Sequence, residues 1–259
     1  MDTAAVLARY DREMREGARP DGPGARVERS AGVVRQVAPA HGWNGVLWSG
    51  LDADTDVDAV IAEQIARYAA LGRGFEWKLY GHDRPAGLGE RLRAAGFVPE
   101  GEETLLVAET AAITPDAGPP LGVRVRAVGD AAGVDLVVEV HERAFGTDGS
   151  RLRRDLLERL AADPDSLVAV VALAGDAPVS AARMELVPGT SFAGLWGGGT
   201  VAGWRGRGLY RALVAHRARV AADRGFPYLQ VDATSQSRPI LRRLGFVPLT
   251  TTTPFVHEG

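Results

Sequence analysis

The 259-residue chain has no cysteine and one lysine, Lys78, among its 30 lysine and arginine residues. Without cysteine there is no disulfide, no thiolate metal site and no cysteine nucleophile, and nothing follows about redox compartment. A P-loop, G-x-x-x-x-G-K-[ST], needs a lysine beside its glycines, and Lys78 stands far from the glycine-rich stretch described below. Long apolar runs are also missing. The longest, around Leu167 to Ala174, is far short of the roughly 18 residues of a membrane span. There is no polybasic run, and a net charge of -3 with a pI near 6.0 gives no reason to expect nucleic acid or a membrane surface as partner. The opening MDTAAVLARYDREMREG lacks the basic and apolar regions of a signal peptide. A soluble cytoplasmic protein is therefore expected. Apolar residues at 46% and charged ones at 24% are ordinary for globular chains, and the length suits one large domain or two small ones.

What is present centres on Leu195 to Tyr210, LWGGGTVAGWRGRGLY. It reads as an apolar strand, a glycine turn and a helix N-terminus leading into RALVAHRARVAA. The first turn of a helix offers unpaired N–H groups and partial positive charge, which suits phosphate oxygens. Gly206 and Gly208 let the backbone approach an anion, and Arg205 and Arg207 add charge. A dinucleotide fingerprint, G-x-G-x-x-G, is excluded because Arg211 occupies the third glycine position.

The rest of the chain supplies periodic elements on both sides of this stretch. Helical spacing is expected over 1–16, 57–71 and 85–95, with strands at 33–34, 46–48, 75–80 and 103–108. Residues 111–120, rich in proline and glycine, form the expected linker between a first domain, 1–110, and a second, 121–259. Beyond it come a strand at 123–128, a helix capped by Asp130 and ended by Gly146, and a helix from Ser150. A three-strand meander over 167–173, 179–187 and 191–200 follows, then the glycine loop, a helix to Asp223, a strand at 228–232, a short helix and a last strand near 254–257.

Three short words recur in the same order in both halves. Leu47-Trp48 matches Leu195-Trp196 at an offset of 148, Arg73-Gly74-Phe75 matches Arg224-Gly225-Phe226 at 151, and Gly96-Phe97-Val98-Pro99 matches Gly245-Phe246-Val247-Pro248 at 149. Where the second half carries Arg205 and Arg207, the first carries Asp52, Asp54, Asp56 and Asp58. Four carboxylates repel a pyrophosphate.

The loop Arg205 to Tyr210 resembles the acetyl-CoA loop of the GNAT N-acetyltransferase superfamily, [QR]-x-x-G-x-[GA]: Arg205 and Gly208 match, and Tyr210 departs at the last position. The order β, two helices, three strands, helix, β, helix, β is also that of the GNAT fold. The resemblance implies an α/β (α+β mixed sheet) chain of two tandem GNAT-like domains, the first having lost its CoA loop, packed as a pseudo-dimer within a monomer or homodimer. It further implies transfer of an acetyl group from acetyl-CoA, without a metal, to the amine of a small molecule, by direct attack on the thioester in the second domain. Gly199, Thr200 and Val201 would pair with the pantetheine through free backbone groups. Pyrophosphate would rest on Arg205, Gly206, Arg207, Gly208, Leu209, Tyr210 and Arg211. The family's asparagine, alanine and tyrosine positions fall on Thr234, Ser237 and Leu241, so Ser237 is a further CoA candidate and the tyrosine acid is missing. The family's strand glutamate falls on Gly194 and is missing too. Asp232, at a strand end, is the candidate base, with Glu185, His141, Glu142 and His257 as possible wall residues. Of the tryptophans only Trp196 is a candidate for acceptor contact. Two alternatives stay open: a mycothiol-synthase-like tandem acetyltransferase, which shares the two-half layout and the active C-terminal half, and a non-catalytic acyl-CoA-binding module, for which the missing tyrosine and glutamate speak.

Overall fold

Helix α1 (Thr3–Tyr10) starts where the Asp2 carboxylate accepts hydrogen bonds from the Ala4 and Ala5 N–H groups, and it continues as a wider π-helical turn, Asp11–Glu16. The structure is a computed structural model and describes residues 1–30, 32–52, 54–113 and 118–259; the expected linker lies outside the described residues at 114–117. Two compact units are present. One comprises Met1–Leu106, Asp232–Pro239 and Pro248–Gly259, and the other Val107–Val231 and Ile240–Val247.

In the first unit, β1 (Arg26–Ser30), β2 (Val33–Val37) and β3 (Gly45–Ser49) pair antiparallel in sequence, and β3 runs parallel to β4 (Phe75–Tyr80), with Val46 opposite Trp77. The parallel step needs a crossover, which α2 (Val57–Ala69) supplies. Val60, Ile61 and Tyr68 recur at helical spacing on α2 and join a core with Val46, Trp77 and Leu92. Leu92 belongs to α3 (Leu88–Ala94), which β5 (Val98–Pro99) and β6 (Glu103–Glu109) follow. The last strand of the chain, β12 (Val247–His257), pairs with β4 and β5 of this unit, Pro254 facing Lys78. It is longer than the expected 254–257 because Thr250 to Thr253 show no hydrophobic alternation. Their strand conformation comes from the partner strand.

In the second unit, β7 (Val123–Val128), β8 (Leu167–Ala174), β9 (Ala177–Leu186) and β10 (Phe192–Thr200) form an antiparallel series, and β10 runs parallel to β11 (Tyr228–Ala233). Helix α4 (Ala131–Phe145) begins with the Gly133 N–H donating to the Asp130 carboxylate and ends at Gly146, whose φ of 73° favours glycine. Helix α5 (Ser150–Ala162) packs Leu156 into a core with Val134, Val137 and Val171. Helix α6 (Leu209–Asp223) connects β10 to β11, and α7 (Arg238–Arg243) follows β11. Thr110 is tied to this unit, its N–H donating to the Pro227 carbonyl and its hydroxyl to that of Phe226.

The element order of the second half is the expected one. The repeated words fall on equivalent places, since β3–α2–β4–α3 and β10–α6–β11–α7 each join a parallel strand pair through a helix. Among the described residues no helix is long and apolar enough to cross a membrane.

Candidate active site

The site is built around a break in β10. In its register with β9, Trp196 faces Arg183 and Gly199 faces Ala181, so Gly197 and Gly198 together oppose Ala182 in a β-bulge. Gly197 has φ of 57°, a conformation that costs other L-residues about 1–2 kcal/mol. Each of the three glycines also makes room for a side chain. A Cβ would stand 2.8 Å from the Arg183 guanidinium at Gly197, 2.8 Å from the Tyr210 ring at Gly198 and 2.9 Å from the Phe145 ring at Gly199. Among the described residues, the pairing of β10 with β11 stops at Gly194 opposite Gln230, while β10 runs on to Thr200. The later part of β10 therefore has a backbone edge not taken up by β11.

The loop after β10 has the geometry expected of an anion cradle. Gly206 and Gly208 have φ of 75° and 82°, and Gly208 is the N-cap of α6. The first bond into the helix runs from the Ala212 N–H to the Gly208 carbonyl, so the amides of Leu209, Tyr210 and Arg211 precede the helical ladder. Arg207 and Arg211 are exposed there, and the Arg207 guanidinium stacks 4.7 Å from the centre of the Trp204 ring. Arg205 is used differently: it donates to the carbonyls of Thr200 and Ala144, tying the loop to β10 and α4. Tyr210 lies half-buried with its phenol pushed up by burial, against a lowering by Arg217.

Several of the backbone groups expected to be free on Gly199, Thr200 and Val201 are engaged. The Ser180 hydroxyl donates to the Gly199 carbonyl at 2.7 Å, Arg205 to that of Thr200, and the Val201 N–H donates to Val179 at 3.0 Å. Sequence reasoning placed these residues at the strand end but could not see which side of the strand a neighbour already occupied.

One wall of the site comes from α4 and β9. A narrow crevice is lined by Val137, Val140, His141, Leu152 and Arg183 together with Gly197 and Gly199. His141 shares a hydrogen bond with the Thr147 hydroxyl at 3.1 Å and packs against the Phe145 ring. Burial and then the charge of Arg183 push its imidazole below the ordinary histidine value, Glu142 acting the other way. It is therefore neutral at pH 7 and able to take a proton. Glu185 is ion-paired with Arg159 at 3.4 Å and Arg183 at 3.7 Å, and Glu142 accepts the Gly149 N–H. Behind the wall, the buried Arg217 of α6 donates to the carbonyls of Leu213 and Arg183. Burial lowers its pKa to about 10, with Tyr210 opposing. Arg183 and Gln230 were not singled out from the sequence. Gln230 is buried with its side-chain oxygen unpartnered where the two strands part. The readable signal for Arg183 was a cation within β9, whose other residues are apolar apart from Ser180 and Glu185.

Asp232 and Ser237 belong to the first unit, not to the one holding the glycine loop. The Asp232 carboxylate is ion-paired with Lys78 and accepts from Thr252 at 3.4 Å. Burial works against the Lys78 ammonium, but the Asp232 carboxylate beside it holds the lysine above its usual range. Ser237 is half-buried, and its hydroxyl reaches the Thr234 carbonyl at 3.4 Å. Leu241 is fully buried, in keeping with a residue that packs and does not titrate. His257 packs against Phe75 and Phe97 in the first unit. Trp196 is 37% exposed.

The equivalent loop of the first half is closed by its own anions. Asp56 caps α2 by accepting the Ala59 N–H at 3.1 Å, Asp52 accepts the Thr55 hydroxyl at 2.6 Å, and Asp58 pairs with Arg91. The hydrogen bond from Thr55 holds the Asp52 carboxyl below the usual range. A side-chain carboxylate thus occupies the helix end where the second half leaves its amides open.

No family model and no curated protein sequence matches the chain. Solved structures do. A GCN5-related N-acetyltransferase from Kribbella flavida superposes with a TM-score of 0.71 at 20% identity, covering 99% of this chain and 94% of that one. A tandem GNAT protein from the clavulanic acid biosynthesis pathway gives 0.65 at 14% identity, with the same coverages of 99% and 94%. A GCN5-related N-acetyltransferase from Sphaerobacter thermophilus gives 0.59 at 17%, covering 89% and 82%. The chain has the GCN5-related N-acetyltransferase fold, shared along its length with a tandem protein of that fold.

Proposed function

We propose that this chain is an acetyl-CoA-dependent N-acetyltransferase that acts on a small amine in its second half, residues 121–259, while the first half, 1–110, is a GNAT-like domain without a CoA loop. The observation that carries this reading is the junction of β10 and α6, where a bulged strand edge runs into a left-handed glycine turn and a helix N-terminus flanked by arginines. A thioester needs an edge to lie along and a diphosphate needs clustered donors, and this junction offers both. In the proposed reaction the amides of 209–211 and the exposed Arg207 and Arg211 hold the pyrophosphate. The β10 edge positions the thioester, and neutral His141 takes the proton of the attacking ammonium. The free amine attacks the thioester carbonyl, the C–S bond breaks, and the nitrogen's second proton reaches the departing thiolate through water and not from a side-chain acid, because Leu241 cannot supply one.

One experiment separates this from a module that binds acyl-CoA without turnover, a reading favoured by the non-titrating Leu241 and Gly194. With acetyl-CoA and a panel of amines, free CoA should accumulate over many turnovers in the presence of at least one amine. Tight binding of acetyl-CoA with no release on any amine would establish the binding module instead.

Reversing the charge at Arg207 tests the loop separately. Arg207→Glu should weaken CoA binding about tenfold or more, because a carboxylate replaces a cation within a few ångströms of a phosphate, a difference of at least about 1–2 kcal/mol. The loss should shrink at high salt, since the position is exposed. An unchanged dissociation constant at low salt would remove Arg207 from the site.

A further inference from the structure

We infer that Arg183 reads a carboxylate on the acceptor, so that the substrates are amines carrying a carboxylate, of the amino-acid type; this rests on the transferase reading above. The guanidinium lies over the bulge, 2.8 Å from where a side chain on Gly197 would begin, in a space that only glycine leaves open. It lines the same crevice as His141. Among the described residues the guanidinium makes no hydrogen bond, and its buried Nε has only the long ion pair to Glu185. Its ion-pair neighbour is Glu185 at 3.7 Å, which also faces Arg159 at 3.4 Å.

A buried donor left unmade is costly, and an arginine fork fits a planar carboxylate through two parallel bonds. The Arg183 carbonyl is held by Arg217 at 2.8 Å, so its backbone is fixed before a ligand arrives. Val137, Val140 and Leu152 make the remaining walls of the crevice apolar. A doubly charged phosphate is disfavoured by Glu185 beside the fork, whereas a single carboxylate can share it. His141, on the same crevice, then faces the nitrogen.

The test reads binding to the full chain in saturating CoA, so that it does not depend on turnover. Matched pairs are titrated by calorimetry: alanine and ethylamine, leucine and isoamylamine, γ-aminobutyrate and propylamine. At least one carboxylate-bearing amine should bind about tenfold or more tightly than its partner. Arg183→Gln should erase that preference and Arg183→Lys restore part of it, with CoA affinity unchanged in both. If no carboxylate-bearing amine binds better than its partner, or if the preference survives in Arg183→Gln, the inference is overturned. Preserved discrimination with no acetyl transfer would count against the transferase reading alone.

Discussion

Lys78→Met should lower the unfolding free energy by about 3–5 kcal/mol, the cost of leaving a buried charge without its partner. The Asp232 side chain is 4% exposed and that of Lys78 15%. Around the pair the hydroxyls of Tyr10 and Tyr80 face each other at 3.4 Å, both phenols pushed up chiefly by burial. Arg15 stacks 3.7 Å from the centre of the Tyr80 ring and grips both oxygens of Asp83. Among the described residues, Asp232 uncovered in this setting keeps Thr252 as its one side-chain donor. The lysine's raised pKa has a pH signature. The stability it contributes is fully present below the unfolded lysine value and is lost as pH rises through the folded one, so the gap between parent and variant should narrow in strong alkali. Urea unfolding of Lys78→Met, Asp232→Asn and the double variant checks this, with the double variant losing less than the sum of the two singles. Unchanged stability in the single variants, together with a fall in kcat and a shifted pH profile for Asp232→Asn, would instead return Asp232 to the role of base.

His141→Gln should lower kcat about 10²- to 10⁴-fold, the usual contribution of a positioned base. Because burial and Arg183 depress its pKa, the imidazole gains a proton only below the ordinary histidine value. The parent's kcat/KM should therefore hold at neutral pH and decline on the acid side through that depressed value. In the variant the same limb should vanish while CoA affinity stays as it was. The neutral form is the one the fold prefers, so the residue's contribution to stability is present above the unfolded histidine value and lost as pH falls through the folded one. A variant that keeps the parent's acid limb would show that another group titrates.

Most of the fold was legible because its elements carry strong periods and clear ends. The Asp130 cap, the Gly146 stop and the word Arg224-Gly225-Phe226 before β11 are local signals, and local physics decides them. The glycine loop was legible for the same reason, since left-handed turns select glycine at 206 and 208. The strand β12 was not, because its threonine run becomes strand through pairing with β4, a partner far away in sequence. That pairing also explains Asp232: a polar residue at a strand end looked free until Lys78 appeared beside it. The engaged groups of Gly199 to Val201 depend on Ser180 and Val179 of the neighbouring strand. The crevice residue Arg183 depends on a bulge two strands wide. None of these can be read along one segment.

Calorimetric titration of the full chain with acetyl-CoA tests most directly whether the second half alone has a usable CoA cradle. The expected result is one acetyl-CoA per chain, because α6 opens its amides behind Gly208 whereas α2 is already capped by Asp56. Two molecules per chain, or none, would contradict it.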